Sequence, residues 1–251
     1  MRCIAPLLML TTVLAGCASS HSPATPVSKL SPEVSQGTGF LVRPDGLVLT
    51  AFHVIEKGKT IKVRCQGYDL VTAKLGERSQ TMDLAVLHTP LAGTPYLTIA
   101  EPRSARAGDP VFTMGFPAAR YLGTEPKFSG GAISALTGQG REAARLLISA
   151  PTQPGSSGSP VLTMDGAVVG VVTAAVSEEE FARDTGALPQ NLNWAVKIDY
   201  ATPLFDVPRG LTAPGDRPAA KTPRDVVEQA SQAVYIVLVG PWGPTVESER
   251  D

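Results

Sequence analysis

Short apolar runs follow one another along the chain from residue 37 to about residue 200. They are rich in Val, Leu and Ile, and Gly, Pro or Asp separates them at close intervals, as in GFLV-RPDG-LVLTA at 39–51. Helical periodicity is scarce in this region. Many short strands with turn residues between them are typical of antiparallel barrels and sandwiches. The pattern therefore predicts an all-β fold.

Residues 39–51 are expected to form a β-hairpin, with the turn at Pro44-Asp45-Gly46. The strands expected after it show the same alternation of apolar runs and turn residues. They are, in chain order, TIKVRC, DLVTAKL, DLAVLHT, PVFTMGF, GAISAL, RLLISA, SPVLTM, AVVGVVTAA and NWAVKI. The charged stretch EEEFARD at 178–184 is expected to be a surface loop rather than a helix.

The N-terminus has the features of a targeting segment. Arg2 precedes an apolar stretch that is too short to span a bilayer and that ends in Leu14-Ala15-Gly16-Cys17. This tetrad resembles the bacterial lipobox, which implies cleavage after residue 16 and attachment of lipid to Cys17; an ordinary secretory signal is the alternative. Ala18, rather than Asp, then implies an outer-membrane anchor facing the periplasm. Residues 17–36 are rich in Ser, Pro and Thr and are expected to form a flexible tether.

Composition and motif content argue against several classes of function. The 251 residues carry a formal net charge of −1, so electrostatics gives no support for nucleic-acid binding. The three cysteines are too few for a disulfide framework, and Cys65, within a predicted strand, is expected to be a buried small residue. No metal-ligand cluster, phosphate-binding glycine loop or cofactor motif is recognisable, so neither a metal nor a cofactor is expected.

Three polar residues interrupt the apolar pattern where strands begin or end. His53 follows LVLTAF, Asp83 opens DLAVL, and Ser157 lies in PGSSGSPV. A serine hydroxyl needs a nearby base to become a nucleophile, and an imidazole base needs a carboxylate to fix its tautomer. These are the residue types required, although each one alone is also explained as an ordinary capping, turn or loop residue.

The blocks TAFHV, DLAVL and GSSGSPV resemble, in this order, the catalytic blocks of chymotrypsin-fold serine proteases. The sequences GTGFLVRPDGLVLTAFHV, GFP, GAIS and NWAVKI are similar to their counterparts in the bacterial HtrA/Deg group. The resemblance covers about residues 37–200. It implies two six-stranded antiparallel β-barrels with the active site in the cleft between them, and a serine endopeptidase that acts on proteins or peptides.

The resemblance also implies individual roles. Ser157 would be the nucleophile, His53 the base and Asp83 its orienting carboxylate, with the backbone N–H groups of Gly155 and Ser157 as the oxyanion hole. The strand at 171–174 would pair with substrate backbone. The substrate-binding residues would be Pro151, Thr173, Ala174, Ala175 and Trp194.

No Asp occurs in the pocket wall SAPTQPG, which favours a small or medium apolar side chain before the scissile bond over Lys or Arg. Ser159 stands where the family commonly has Gly, and Ser156 where it commonly has Asn or Asp. Neither departure touches the implied triad or the oxyanion donors.

The expected organisation is a signal peptide at 1–16, the tether at 17–36, barrels at 37–122 and 123–208, a linker at 209–222, and a helix and strand within 223–251. The final segment is too short for the PDZ domain that HtrA proteins usually carry. It resembles the segment that precedes the protease domain in that group, so it either folds back to complete the first barrel or forms a partner-binding tail. The N-terminal segment through which HtrA relatives trimerise is not recognised, which makes a monomer the expectation.

Two rival functions remain open from the sequence. One is a catalytically silent scaffold that binds peptides or a partner on the same fold. The other is an esterase that uses the same three side chains.

Overall fold

The computed structural model describes residues 34–65, 69–175, 178–205 and 222–240. The first strands and the helix between them are β1 (Ser35–Leu41), β2 (Leu47–Ala51), α1 (Phe52–Ile55), β3 (Thr60–Arg64), β4 (Val71–Ser79) and β5 (Leu84–His88). The middle of the chain forms β6 (Thr98–Ile99), β7 (Pro110–Gly115), α2 (Ala119–Leu122), β8 (Lys127–Ala135), β9 (Arg145–Ile148), β10 (Pro160–Thr163) and β11 (Ala167–Ala175). The remaining elements are α3 (Glu178–Thr185), β12 (Asn193–Lys197), α4 (Pro223–Ser231) and β13 (Val234–Gly240).

The first barrel is closed by the C-terminal strand. Its strand order is β1-β13-β3-β4-β5-β2, and all neighbouring strands are antiparallel. All seven residues of β13 are buried, since this strand has a neighbour on each side. Of the two alternatives that the sequence left for this segment, the structure has the fold-back.

The second barrel is closed through the pairing of β10 with β11. Its strand order is β10-β7-β8-β9-β12-β11, and β6 adds to β11 in parallel. Since β7 pairs with β8 and β10, it belongs to this barrel, and the boundary expected between residues 122 and 123 lies too late in the chain. The fold class predicted from the sequence, two six-stranded antiparallel barrels, is confirmed.

Two local expectations are corrected. The tether does not extend to residue 36, because Val34 is buried and Ser35 and Gln36 already pair with Val239 and Leu238 of β13. The charged stretch expected to be a loop forms the helix α3 instead.

The principal core lies where the barrels meet, and α4 packs against it. Its buried members from both barrels include Phe40, Leu49, Phe112, Met114 and Val171. Helix α4 adds Val226 and Ala230 to this core. The thiol of Cys65 is buried, and it donates to the carbonyl oxygens of Ser231 (3.7 Å) and Gln232 (3.5 Å) at the end of α4. In the described ranges, no helix combines the length and the hydropathy needed to cross a membrane.

Candidate active site

The structure brings His53 and Asp83 together at one end of the first barrel. His53 lies on α1, directly after β2, and Asp83 lies in the turn before β5, the neighbour of β2. The imidazole Nδ1 is 2.7 Å from Asp83 Oδ2. The carboxylate can only accept, so Nδ1 carries a proton in this pair, and in the neutral imidazole Nε2 is then the acceptor. The His53 side chain is 45% exposed and that of Asp83 is 22% exposed, so the ring is open to a substrate while the carboxylate is more shielded.

Asp83 also fixes the start of α1. Its Oδ1 accepts from the His53 backbone N–H at 2.8 Å, and its carbonyl oxygen accepts from Phe52 N–H at 3.1 Å. Asp83 has a φ of 56°, in the left-handed region that is costly for most residues and that Asp tolerates better than most. One residue therefore orients the imidazole through its side chain and anchors the backbone that carries it.

Ser157 lies in the tight turn that leads into β10. Gly155 and Gly158 have φ values of 98° and 85°, which favour glycine strongly at both positions. Ser157 is half-buried, and its Oγ lies 3.5 Å from the carbonyl oxygen of Thr173 on β11. The glycine- and serine-rich sequence of this loop therefore forms a tight turn.

Hydrogen bonds to carbonyl oxygens orient two peptide units of this turn. Pro154 O accepts from Ala118 N–H at 2.7 Å, and Ser156 O accepts from Ser159 N–H at 2.9 Å. In a planar trans peptide the N–H points opposite to the C=O, so the N–H groups of Gly155 and Ser157 point away from these partners. Within the described residues neither N–H donates a hydrogen bond. Both are therefore available to a ligand.

Thr38 on β1, which the sequence analysis did not single out, connects the first barrel to this turn. Its backbone N–H donates to Ser157 O and its hydroxyl donates to Gly155 O, both at 2.8 Å. The same hydroxyl accepts from Phe116 N–H at 3.1 Å, and Thr50 Oγ1 donates to Thr38 O at 2.6 Å. The signal in the sequence is a polar residue inside an apolar strand, GTGFLV.

Asn193 was also missed, and it holds the wall of the predicted pocket. Its side chain is buried, where Nδ2 donates to Ala150 O at 2.9 Å and Oδ1 accepts from Thr152 Oγ1 at 2.6 Å. On the same segment, Pro151 O accepts from Ser129 Oγ at 2.7 Å. The wall preceding Ser157 is therefore tied to β8 and β12.

The remaining predicted substrate-binding residues lie on β11 and β12. Ala174 is in register with Trp194 and Ala175 with Asn193, and a register shift falls between Val172 and Ala174. Thr173 Oγ1 lies 3.1 Å from Arg145 Nη1. The Thr173 side chain is therefore held by Arg145 of β9, while the Thr173 carbonyl oxygen lies within hydrogen-bond distance of Ser157 Oγ.

Both α1 and the Ser157 turn approach β1 closely at Gly37. A Cβ on Gly37 would lie 2.5 Å from the Val54 methyl groups and 3.1 Å from Ser157 O, so a side chain there would disturb both. Among the described residues, however, no hydrogen bond joins Ser157 Oγ to the His53 ring. The structure thus shows the His–Asp pair as a hydrogen-bonded unit, with the serine on a neighbouring element.

Residues 37–171, more than half of the chain, match the family model described as "Trypsin-like peptidase domain". The chain belongs to the trypsin-like peptidase family. The match begins in β1 and ends in β11, so it includes His53, Asp83 and Ser157.

Several of the proteins similar to this trypsin-like peptidase are named as DegP-like or HtrA-type proteases. The chain is 34% identical over 149 residues to a "Probable periplasmic serine endoprotease DegP-like" of Chlamydia muridarum, covering 57% of this chain and 29% of the relative. It is also 34% identical over 179 residues to the "Uncharacterized protein y4bJ" of Sinorhizobium fredii, covering 71% of this chain and 28% of that protein. The chain thus spans less than a third of the length of these relatives.

Solved structures of serine endoproteases also match this trypsin-like peptidase. The serine endoprotease from Yersinia pestis matches with a TM-score of 0.56 and 26% identity, over 72% of this chain and 63% of that one. The HtrA-type protease AlgW with decapeptide matches with a TM-score of 0.55 and 26% identity, over 66% of this chain and 49% of that one.

Proposed function

We propose that this chain is a serine endopeptidase that hydrolyses peptide bonds of proteins or peptides through an acyl-enzyme formed on Ser157. The observation that carries the proposal is the His53–Asp83 hydrogen bond of 2.7 Å, on an element adjacent to the Ser157 turn of a trypsin-like peptidase. That bond leaves Nε2 of the imidazole as the acceptor that a general base requires.

In the proposed reaction, His53 Nε2 accepts the Ser157 hydroxyl proton as Oγ attacks the scissile carbonyl carbon. The tetrahedral intermediate collapses when the imidazolium donates this proton to the leaving amine. Water then attacks the acyl-enzyme with His53 again acting as base, and Ser157 is regenerated. Asp83 holds the ring and stabilises the imidazolium. When substrate binds, the Ser157 hydroxyl turns from the Thr173 carbonyl oxygen to His53 Nε2, because catalytic hydrogen bonds commonly tighten in the Michaelis complex.

The free N–H groups of Gly155 and Ser157 are the proposed oxyanion donors. Hydrogen bonds to Pro154 O and Ser156 O fix the two peptides in advance, so little reorganisation is needed when negative charge develops on the substrate oxygen. A single well-placed donor of this kind contributes about 3–4 kcal/mol to transition-state stabilisation.

Fluorophosphonate labelling tests the proposal, because the probe reacts with activated serines. We expect labelling of the full chain, loss of labelling in Ser157→Ala, and retention in the matched control Ser159→Ala. Ser159 Oγ is buried without a hydrogen-bond partner among the described residues, so its removal should leave the turn intact. A folded protein that is neither labelled nor turns over peptides would support the scaffold alternative, and turnover of esters without peptides would support an esterase.

For specificity, we propose a pocket formed by Pro151, Thr173, Ala174, Ala175 and Trp194 that takes a small or medium apolar side chain. Its wall, 149–155, contains no carboxylate to pair with Lys or Arg. The wall is also held by Asn193 rather than free to rearrange. A cleavage-site profile from a peptide library should be dominated by residues such as Ala and Val, and a profile dominated by Arg or Glu would overturn this assignment.

We further propose that Cys17 carries a lipid anchor that holds the peptidase at the outer membrane, facing the periplasm. The lipobox and Cys17 lie outside the described residues, and the support is the sequence Leu14-Ala15-Gly16-Cys17. Two or more acyl chains are needed for stable anchoring, and a modified lipoprotein cysteine supplies them. In a bacterial host, Cys17→Ser should move the protein from the membrane fraction to the soluble fraction; unchanged membrane partition would contradict the proposal.

A further inference from the structure

A groove beside the candidate active site has no role in the proposed catalysis. It encloses about 650 Å³ between the end of α1, the start of β3 and the strand β4. Its lining includes Phe52, the residue directly before His53. The groove therefore lies next to the element that carries the candidate base.

The groove opens where two strands of the first barrel diverge. β3 and β4 pair from Ile61↔Ala73 to Val63↔Val71. Beyond Ala73, within the described chain, β4 continues to Ser79 with β5 as its partner strand. The side of β4 that faces the start of β3 is thus an open strand edge. An open edge offers unpaired N–H and C=O groups to an added strand.

The walls of the groove are cationic and its floor is apolar. The exposed side chains of Lys59, Lys74 and Arg78 line it against one exposed carboxylate, that of Glu56. Within the described residues, none of the three cations forms a salt bridge. The floor consists of apolar side chains, namely Phe52, Ile55, Ile61 and Ala73, with Leu75 exposed at the rim.

We propose that this groove binds an acidic, extended segment of the polypeptide substrate, which adds as a short strand to the open edge of β4. Backbone hydrogen bonds to β4 would provide the register, the apolar floor would take alternate side chains, and the carboxylates would face the three cations. That the segment belongs to the substrate rests on the proposed peptidase function. A segment tethered to the scissile bond raises the effective concentration of substrate at the active site.

The direct test is binding, which does not depend on catalysis. Fluorescence anisotropy of a labelled six-residue peptide alternating Glu and Val would be measured with the full chain carrying Ser157→Ala. We expect saturable binding that weakens at least tenfold in the triple variant Lys59→Glu, Lys74→Glu and Arg78→Glu. The matched control, Arg141→Glu, Arg183→Glu and Arg224→Glu, reverses three exposed cations elsewhere and should bind as the parent does.

Further binding measurements distinguish an acidic added strand from other ligands of the groove. A Lys/Val peptide should bind at least tenfold more weakly than the Glu/Val peptide. N-methylation of alternate backbone amides on the β4-facing side should weaken the Glu/Val peptide at least fivefold. Any of three results would overturn the proposal. The Glu/Val peptide could bind equally to the control variant and to the groove variant (Lys59→Glu, Lys74→Glu and Arg78→Glu), N-methylation could have no effect, or a single-stranded oligonucleotide could bind more tightly than the peptide. The triple variant with Gln instead of Glu should give an intermediate loss, and an unchanged melting temperature in both variants shows that folding is intact.

The link to substrate is tested separately by kinetics. A substrate extended with the Glu/Val segment should have a several-fold higher kcat/KM than the short substrate, and the groove variant should remove this gain while leaving the short substrate unchanged. If the short substrate is not cleaved at all, the peptidase function fails while the binding result stands. If it is cleaved without a gain from the extension, the substrate assignment of the groove fails.

Discussion

The backbone N–H of Thr38, on β1, donates to the carbonyl oxygen of Ser157 at 2.8 Å. This bond joins the first barrel to the turn that leads into the second. The Thr38 hydroxyl adds a second connection, to Gly155 O, and accepts from Phe116 N–H. The position of the candidate nucleophile relative to the candidate base is therefore set in part by one buried threonine.

Replacing Thr38 with Val should reduce activity without unfolding the protein. The change keeps the side-chain shape and leaves Gly155 O and Phe116 N–H without their partner, at a cost of about 1–3 kcal/mol in the free energy of unfolding. We expect kcat to fall roughly tenfold or more while KM changes little, because ground-state contacts remain. Thr38→Ser retains the hydroxyl and should recover most of kcat; equal losses in Ser and Val would show that the hydroxyl has no positioning role.

Asp83→Asn should impair the His53 base selectively. The amide can present its N–H₂ group to His53 Nδ1, which reverses the tautomer and removes Nε2 as an acceptor. We expect kcat to fall by about three to four orders of magnitude, as for carboxylate-to-amide changes in such triads, with folding measured by circular dichroism retained. The control Asp45→Asn alters an exposed carboxylate paired with Arg43 and should leave kcat within twofold. A small loss in Asp83→Asn would argue against the proposed base.

Gly158→Ala tests the close approach of the Ser157 turn to β1. A Cβ at this position would overlap Thr38 O and lie 2.5 Å from Thr50 Oγ1, and the φ of 85° is unfavourable for Ala. We expect a clear fall in melting temperature together with loss of fluorophosphonate labelling. Gly93→Ala is the matched control, since its φ is 73° and nothing lies within 4 Å of the added atom. Backbone strain alone should cost about 1–2 kcal/mol there and leave labelling intact.

Removal of the C-terminal strand should open the first barrel. A chain ending at residue 221 lacks α4 and β13 and leaves the edges of β1 and β3 unpaired. We expect loss of the cooperative thermal transition and of labelling, whereas a chain ending at residue 240 keeps every described element and should retain both. A synthetic 222–240 peptide added in trans should restore part of the labelling. A chain ending at 221 with the parental melting temperature would show that β13 is dispensable.

Single substitution within β13 offers a milder version of the same test. Ile236 is buried and pairs with Thr38 on one side and Arg64 on the other. Ile236→Ala should lower the free energy of unfolding by about 2–5 kcal/mol, as for other large-to-small core changes, measured by denaturant titration. Val227→Ala on the partly buried face of α4 should cost less; a comparable loss at both positions would contradict a central role for β13.

The sequence by itself determined most of the strands and the candidate chemistry. The alternation of apolar runs and turn residues predicted the strands, and a helix and a strand were expected within 223–251. His53, Asp83 and Ser157 stood out because polar residues at strand ends interrupt that pattern, and their resemblance to a protease family supplied the two-barrel fold.

Only the tertiary structure decided what each element contacts. Ser35 and Gln36 look like tether in the sequence, yet they form strand because β13, about two hundred residues later, pairs with them. Thr38 and Asn193 are unremarkable polar residues until distant backbone groups reach them. The groove beside α1 likewise exists because β3 and β4 diverge after Ala73. Local propensity depends on neighbours along the chain, whereas strand pairing, burial and hydrogen-bond partners depend on residues that only folding brings together.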